Sequence, residues 1–171
     1  MNPDLAQAKR GDRSAMARLV DTHYDVVFRF CARRIGSEIA QDMAQETFIT
    51  AQKSLRKFEG RSSFQTWLLG IAHNHVRNEL KRRKAEPVDW TDDVEMQSPE
   101  EQLIDRESLR KALRALSAEH REVVLLHEVE QLTYDEMAEV LGIPSGTAKS
   151  RLHHAILQLR NSLMATTEVT A

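Results

Sequence analysis

Seven histidines and one cysteine are the residues of this chain best suited to metal or nucleophilic chemistry, and their spacing argues against both. His73-x-His75 and the adjacent pair His153-His154 are the only histidine clusters. Neither has the H-E-x-x-H spacing or the partnered carboxylates of a zinc site. Neighbouring residues on a helix point about 100° apart, so His153 and His154 do not readily share a metal. A single cysteine, Cys31, makes no internal disulfide and no Cys-rich zinc site. Set in an apolar stretch, it reads as a small core residue. The expectation is a chain with no catalytic residue, no metal, no cofactor and no small-molecule substrate.

The polar residues are better suited to holding nucleic acid. In Leu132–Leu163, LTYDEMAEVLGIPSGTAKSRLHHAILQLRNSL, two helices join through a tight turn. Thr133 and Glu136 have capping-box spacing. Gly142 can take the left-handed conformation that ends a helix, and Pro144 cannot continue one. Ser145 is the expected N-cap of the next helix. Ala148, Leu152, Ala155, Ile156, Leu159 and Leu163 then recur at three- and four-residue spacing and form an apolar face. Lys149, Ser150, His153 and His154 fall on the other face, with Arg151 on its flank. No acid occurs between Leu141 and Thr167. Such a face suits a DNA duplex, which carries one negative charge every ~1.7 Å. A helix-turn-helix inserting its second helix in the major groove has this layout. An amphipathic helix in an ordinary bundle is the plainer alternative.

A second constellation begins at Phe58-Glu59-Gly60-Arg61-Ser62-Ser63. Ser62 and Gln65 read as another capping box, opening a helix to Lys84. Phe64 and Trp67 are aromatic, Asn74 offers an amide, and His73, Arg77 and Lys81 share its side. Cations interleaved with rings and an amide are what unstacked bases need: charge for phosphates, rings for stacking, an amide for a base edge. Core packing accounts for Phe64, Trp67 and Ile71 equally well, and the Lys81–Lys84 run suits a helix C-terminus. His75 falls on the apolar side and is expected to pack in the core.

The preceding helix, about Glu38 to Lys57, buries Ala44, Phe48, Ala51, Leu55 and Phe58. Asp42, Gln45, Glu46, Ile49, Gln52 and Lys53 lie opposite. Ile49, ringed by Asp42, Gln45 and Glu46, reads as a docking patch with an apolar centre and a polar rim, or as a solitary exposed apolar residue.

The elements that must position these groups are helices. Few glycines, prolines and aromatics in 171 residues point to an all-α protein of one large or two small domains. The net charge of −2 conceals segregation. Residues 1–84 carry 16 Lys and Arg against 9 Asp and Glu, residues 85–105 carry 8 acids and no cation, and residues 106–171 are nearly balanced. Pro87, Pro99 and the acids mark 85–105 as a flexible linker between domains 1–84 and 106–171. Trp90 within it either packs on a neighbouring domain or anchors a partner. Helices are expected at Ser14–Ile35, near Pro99–Leu116 and around Ala118–Val129. The apolar runs are too short to span a membrane and the N-terminus lacks a signal-peptide core, so a cytoplasmic protein is expected.

The stretch DMAQETFITAQKSLRKFEGRSSFQTWLLGIAHNHVRNELKRRK, followed by an acidic linker and LTYDEMAEVLGIPSGTAKSRLHHA, resembles the extracytoplasmic-function sigma factors of bacterial RNA polymerase. The likeness covers almost the whole chain, and the Q-E-x-F, S-F-x-T-W-L-x-x-I-A-x-N and G-T-x-x-S-R elements fall in order. It implies that Asp42, Gln45, Glu46 and Ile49 dock on the clamp helices of the polymerase β′ subunit. Ser62, Ser63, Phe64, Trp67 and Asn74 would open the minus-ten promoter element and hold a flipped base, with Arg77 and Lys81 on phosphates. Ser145, Thr147, Lys149, Ser150, Arg151, His153 and His154 would read the minus-thirty-five element. An anti-sigma partner is implied as well, which would hold the protein inactive and can keep it at the membrane. Lys149 stands where many relatives carry Arg, and a point charge grips guanine less selectively than a guanidinium. A stand-alone helix-turn-helix regulator is the alternative, and it would need to dimerise on a two-fold operator.

Overall fold

A computed structural model describes residues 2–90 and 105–170, with side chains through 165. Among the described residues every regular element is helical, as expected of an all-α chain. The helices are α1 (Pro3–Lys9), α2 (Arg13–Ile35), α3 (Ser37–Ser54), α4 (Phe64–Arg83), α5 (Arg106–Ala115), α6 (Ala118–Val124), α7 (Tyr134–Leu141) and α8 (Ser145–Thr170). A 3-10 turn, Leu55–Lys57, extends α3, and a π-type turn, Leu125–Val129, extends α6. They form two compact units, α1–α4 and α5–α8.

In the first unit α2 is the central element. Asp12 caps it, its carboxylate accepting from the amides of Ser14 and Ala15. Leu19, Val27, Phe30 and Cys31 of α2 meet the buried faces of α3 (Ala40, Ala44, Phe48, Ala51) and α4 (Leu68, Leu69, Ala72, Val76). Each large apolar side chain removed from water contributes roughly 1.5–3 kcal/mol. Buried polar groups are satisfied locally. Thr47 donates its hydroxyl to the Met43 carbonyl at 2.7 Å. Arg34 donates to the Phe30 carbonyl at 2.8 Å and lays its guanidinium 3.5 Å from the Phe30 ring centroid. The packed chain continues past α4, where the Val88 amide donates to the Arg34 carbonyl at 2.8 Å. Trp90, which belongs to the second unit, is buried. Residues 91–104, most of the expected linker, lie outside the described residues.

Helix α1 was not foreseen. Asn2 accepts from the Asp4 amide, Pro3 opens the helix, and Asp4 sits in its first turn. All three are local start signals. Leu5 and Ala8 bury against Leu55 and Phe58, and Arg18 ties down Asp4 through two hydrogen bonds of 2.9 and 2.7 Å.

The second unit is built around α6 and α8. Val123, Leu125, Leu126, Met137, Ala148 and Ala155 are fully or almost fully buried. Asp105 caps α5, so the described helix starts later than the expected Pro99, whose own neighbourhood lies outside the described residues. Thr133 and Glu136 make the capping box in both directions. Gly142 ends α7 at φ 66°, where a side chain would be strained.

Three local expectations are corrected. Ser63, not Ser62, caps α4: its hydroxyl accepts from the Thr66 amide at 3.0 Å. Ser145 lies inside α8 rather than at its cap. The amides of Thr147 and Ala148 donate to the Pro144 carbonyl, so the proline, which has no N–H to satisfy, takes the capping place. The Ser145 hydroxyl instead donates to Asp135 at 2.7 Å. Ile156 is 37% exposed although its spacing assigned it to the apolar face. Ala155 and Leu159 fill that face, and Ile156 lies about 100° round the helix from Ala155.

Candidate nucleic-acid interface

The loop between the 3-10 turn and α4 carries an aromatic cluster. Phe58 is buried, while Phe64 and Trp67 are half-buried. Phe58 meets Phe64 edge-on at 5.8 Å and Trp67 at 5.1 Å, and Phe64 lies 5.6 Å from Trp67. Two unanticipated residues brace this cluster. The His23 ring of α2 meets Phe64 edge-on at 5.3 Å, and burial holds its imidazole below the ordinary value. Lys9 of α1 donates to the Phe58 carbonyl at 2.5 Å and sits 5.3 Å from the centroid of the Phe58 ring. Gly60 turns the loop at φ 74°. The rings therefore close one end of the core, and Phe64 and Trp67 stay only partly covered.

Asn74, Arg77 and Lys81 follow on one exposed stripe of α4. The basic end of α4 is less positive than its letters suggest. Glu79 accepts from Arg82 through both carboxylate oxygens and from Arg83 at 2.5 Å. These hydrogen bonds hold the Glu79 carboxyl down to about 2. Arg77 and Lys81 form no ion pair among the described residues. His75, expected in the core, is half-buried with its Nε2 2.8 Å from the Thr50 hydroxyl.

On α3, Asp42, Gln45 and Glu46 are exposed and surround Ile49, which is 45% exposed. The buried stripe of Met43, Ala44, Thr47, Phe48 and Ala51 occupies the opposite side.

In the second unit, Lys149, Ser150, His153 and His154 are exposed on one side of α8, and the two imidazoles meet edge-on at 5.9 Å. Thr147 is half-buried and its carbonyl accepts from the Ser150 hydroxyl at 3.1 Å. Arg151 is turned toward α6, 3.6 Å from Glu119. Ser145 is engaged by Asp135. The outward polar surface thus comes from Lys149, Ser150 and the two imidazoles, with Arg151 drawn toward Glu119. No group of three His, Cys, Asp or Glu side chains able to hold a metal occurs among the described residues. No described helix is long and apolar enough to cross a membrane.

Residues 19–86 match the Sigma-70 region 2 family, and residues 106–159 match Sigma-70 region 4. The chain is 31% identical to the ECF RNA polymerase sigma factor SigW of Bacillus subtilis, over 93% of this chain and 94% of that one. It belongs to the extracytoplasmic-function sigma factors.

Solved structures agree with that membership. CnrH in complex with the cytosolic domain of CnrY aligns over 95% of this sigma factor and 96% of its own chain, with 26% identity and a TM-score of 0.65. The sigma factor RpoE of Bartonella quintana, in complex with the anti-sigma factor NepR, shares the fold at 23% identity and a TM-score of 0.60, over 86% and 96% of the two chains. The chain is thus a transcription initiation factor with sigma regions 2 and 4, and nothing in these likenesses favours a stand-alone regulator. Region 2 contains the aromatic loop and the Ile49 patch, and region 4 contains the exposed polar face of α8 around Lys149.

Proposed function

We propose that this sigma factor binds core RNA polymerase and promoter DNA through three surfaces, with residues 1–84 and 106–171 as its working domains and 85–105 as an acidic tether. Asp42, Gln45, Glu46 and Ile49 dock on the clamp helices of the β′ subunit. Ser62, Ser63, Phe64, Trp67 and Asn74 receive the opened minus-ten element, a flipped base stacking on the ring faces while Arg77 and Lys81 hold phosphates. Thr147, Lys149, Ser150, His153 and His154 face the minus-thirty-five major groove, with Ser145 and Arg151 fixing the helix that presents them. RNA synthesis belongs to the polymerase. The sigma factor needs no cofactor, and it lowers the cost of strand opening by binding the opened state better than the duplex.

The observation that carries this reading is the loop of α4, where rings half-open to solvent stand beside an exposed amide and exposed cations. That combination is wasted on a duplex, whose bases are stacked, and useful to a single strand. An anti-sigma partner follows by likeness to the complexes above, and the site of action is then the bacterial cytoplasm.

Run-off transcription with reconstituted holoenzyme on genomic promoter fragments tests the proposal. Specific transcripts are expected only when both core polymerase and this chain are present. Absence of a specific transcript from any promoter rejects it.

A further inference from the structure

On the exposed side of α8, His153 and His154 are neighbours whose rings meet edge-on at 5.9 Å. Beyond that mutual contact, neither imidazole makes a hydrogen bond or an ion pair among the described residues. Lys149 is exposed one turn earlier on the same side, and no acid occurs between Leu141 and Thr167. The helices packed against α8 are α5 and α6. Helix α5 carries Glu107 and the cations Arg106, Arg110, Lys111 and Arg114, and α6 carries Glu119, His120, Arg121 and Glu122. None of these pairs with either ring among the described residues. Glu119 reaches Arg151 instead, at 3.6 Å. Helix α7 meets the first turn of α8 through Asp135, which accepts from the Ser145 hydroxyl at 2.7 Å. Both imidazoles are thus left without a counter-charge from the protein.

We propose that His153 and His154 grip backbone phosphates beside the minus-thirty-five groove by taking up protons, so that region 4 holds its promoter more tightly as the pH falls. The inference rests on the reading that this side of α8 meets the major groove. Imidazole is the side chain whose ordinary titration falls between pH 5 and 8. In the free chain two rings in contact, with Lys149 close by, disfavour a second and third positive charge. DNA phosphates supply the opposite charge that the protein withholds, and so favour the protonated rings. The complex then holds more protons than the free chain, and proton uptake and affinity are linked. Affinity is constant at high pH, where the rings are neutral in both states. It climbs as pH falls through the range where only the bound rings are protonated, and levels off once the free rings are protonated too. The two side chains leave the helix about 100° apart, which suits two separate phosphates better than one base edge.

The test uses holoenzyme reconstituted with the full chain and a labelled duplex from a promoter that supports run-off transcription. The duplex carries the minus-thirty-five element and stops short of the minus-ten element. Its affinity is measured from pH 8 to pH 6 at fixed ionic strength, beside a duplex with the minus-thirty-five element scrambled. Wild-type affinity is expected to rise by about tenfold, the gain when one imidazole titrates one pH unit higher in the complex. Its salt dependence should be steeper at pH 6 than at pH 8 by about 0.9 for each phosphate newly neutralised. The double variant H153Q/H154Q changes two exposed side chains and should keep its helicity, which circular dichroism checks. It should bind across the range as weakly as wild type does at pH 8, with no pH response. H153K/H154K, whose charges do not titrate in this range, should bind tightly at pH 8 and also respond flatly. A wild-type affinity that does not change with pH overturns the proposal. So does an equal pH response in wild type and H153Q/H154Q. A loss of affinity in H153Q/H154Q that is the same at every pH also overturns it, since neutral rings would then be reading bases. If wild-type holoenzyme does not distinguish the intact element from the scrambled one at any pH, the groove reading of α8 falls, and this inference with it.

Discussion

Ile49 shows how one residue separates a docking role from a folding role. The residue is 45% exposed and lies outside the buried core, so Ile49→Asp should leave the helical fold intact at a modest cost in thermal stability. Affinity for core polymerase is expected to fall by roughly 1–2 kcal/mol, the usual cost of losing an apolar anchor at the centre of an interface, measurable by competition for core. Glu79 makes a different point. With its carboxyl held near 2, it stays ionised through the physiological range and keeps Arg82 and Arg83 occupied. Glu79→Gln should release both arginines, tighten promoter binding, and steepen its salt dependence by about 0.9 for each phosphate newly engaged. Filter binding across a salt series reads this directly. His23 carries the pH dependence. Burial lowers its pKa from 6.5, so the unfolded chain binds the proton more readily than the folded one. That contribution to stability is complete above the unfolded value and is lost as pH falls below it. Thermal melts of wild type and His23→Gln should converge as pH drops from neutral toward 5.

At the scale of elements, legibility followed locality. The capping box of Thr133 and Glu136, the stop at Gly142 and the helical periods of α2, α3 and α8 were readable because each depends on residues within a turn or two. Thr133→Ala is expected to cost about 1 kcal/mol, seen as a lower melting temperature of region 4 with α8 otherwise intact. The cap of α4 was misplaced by one residue because two serines stand side by side, and only geometry decides that Ser63 reaches the Thr66 amide. Helix α1 has its start signals in Asn2, Pro3 and Asp4, yet a seven-residue helix is not stable alone. It persists because Leu5 and Ala8 pack on Leu55 and Phe58, far along the chain. The Lys9 and His23 contacts with the aromatic loop, and the Glu119 partner of Arg151, are tertiary in the same sense. No spacing rule announces them, although they decide which cations and rings remain available.

At the scale of the whole chain, charge segregation between blocks was visible in the letters, and two compact units are what the fold provides. Each unit has its own buried core, so their stabilities can differ. Cys31 is the chain's one cysteine and lies in the core of the first unit with no exposed surface. A thiol inside that core is inert to alkylating reagents until the helices around it separate. The rate at which iodoacetamide labels the protein should therefore report opening of the first unit alone, whatever the second is doing. Because the native background is silent, a cysteine engineered at an exposed position of either unit would take a dye cleanly, and the sulfur that nature left inside becomes a built-in clock for unfolding.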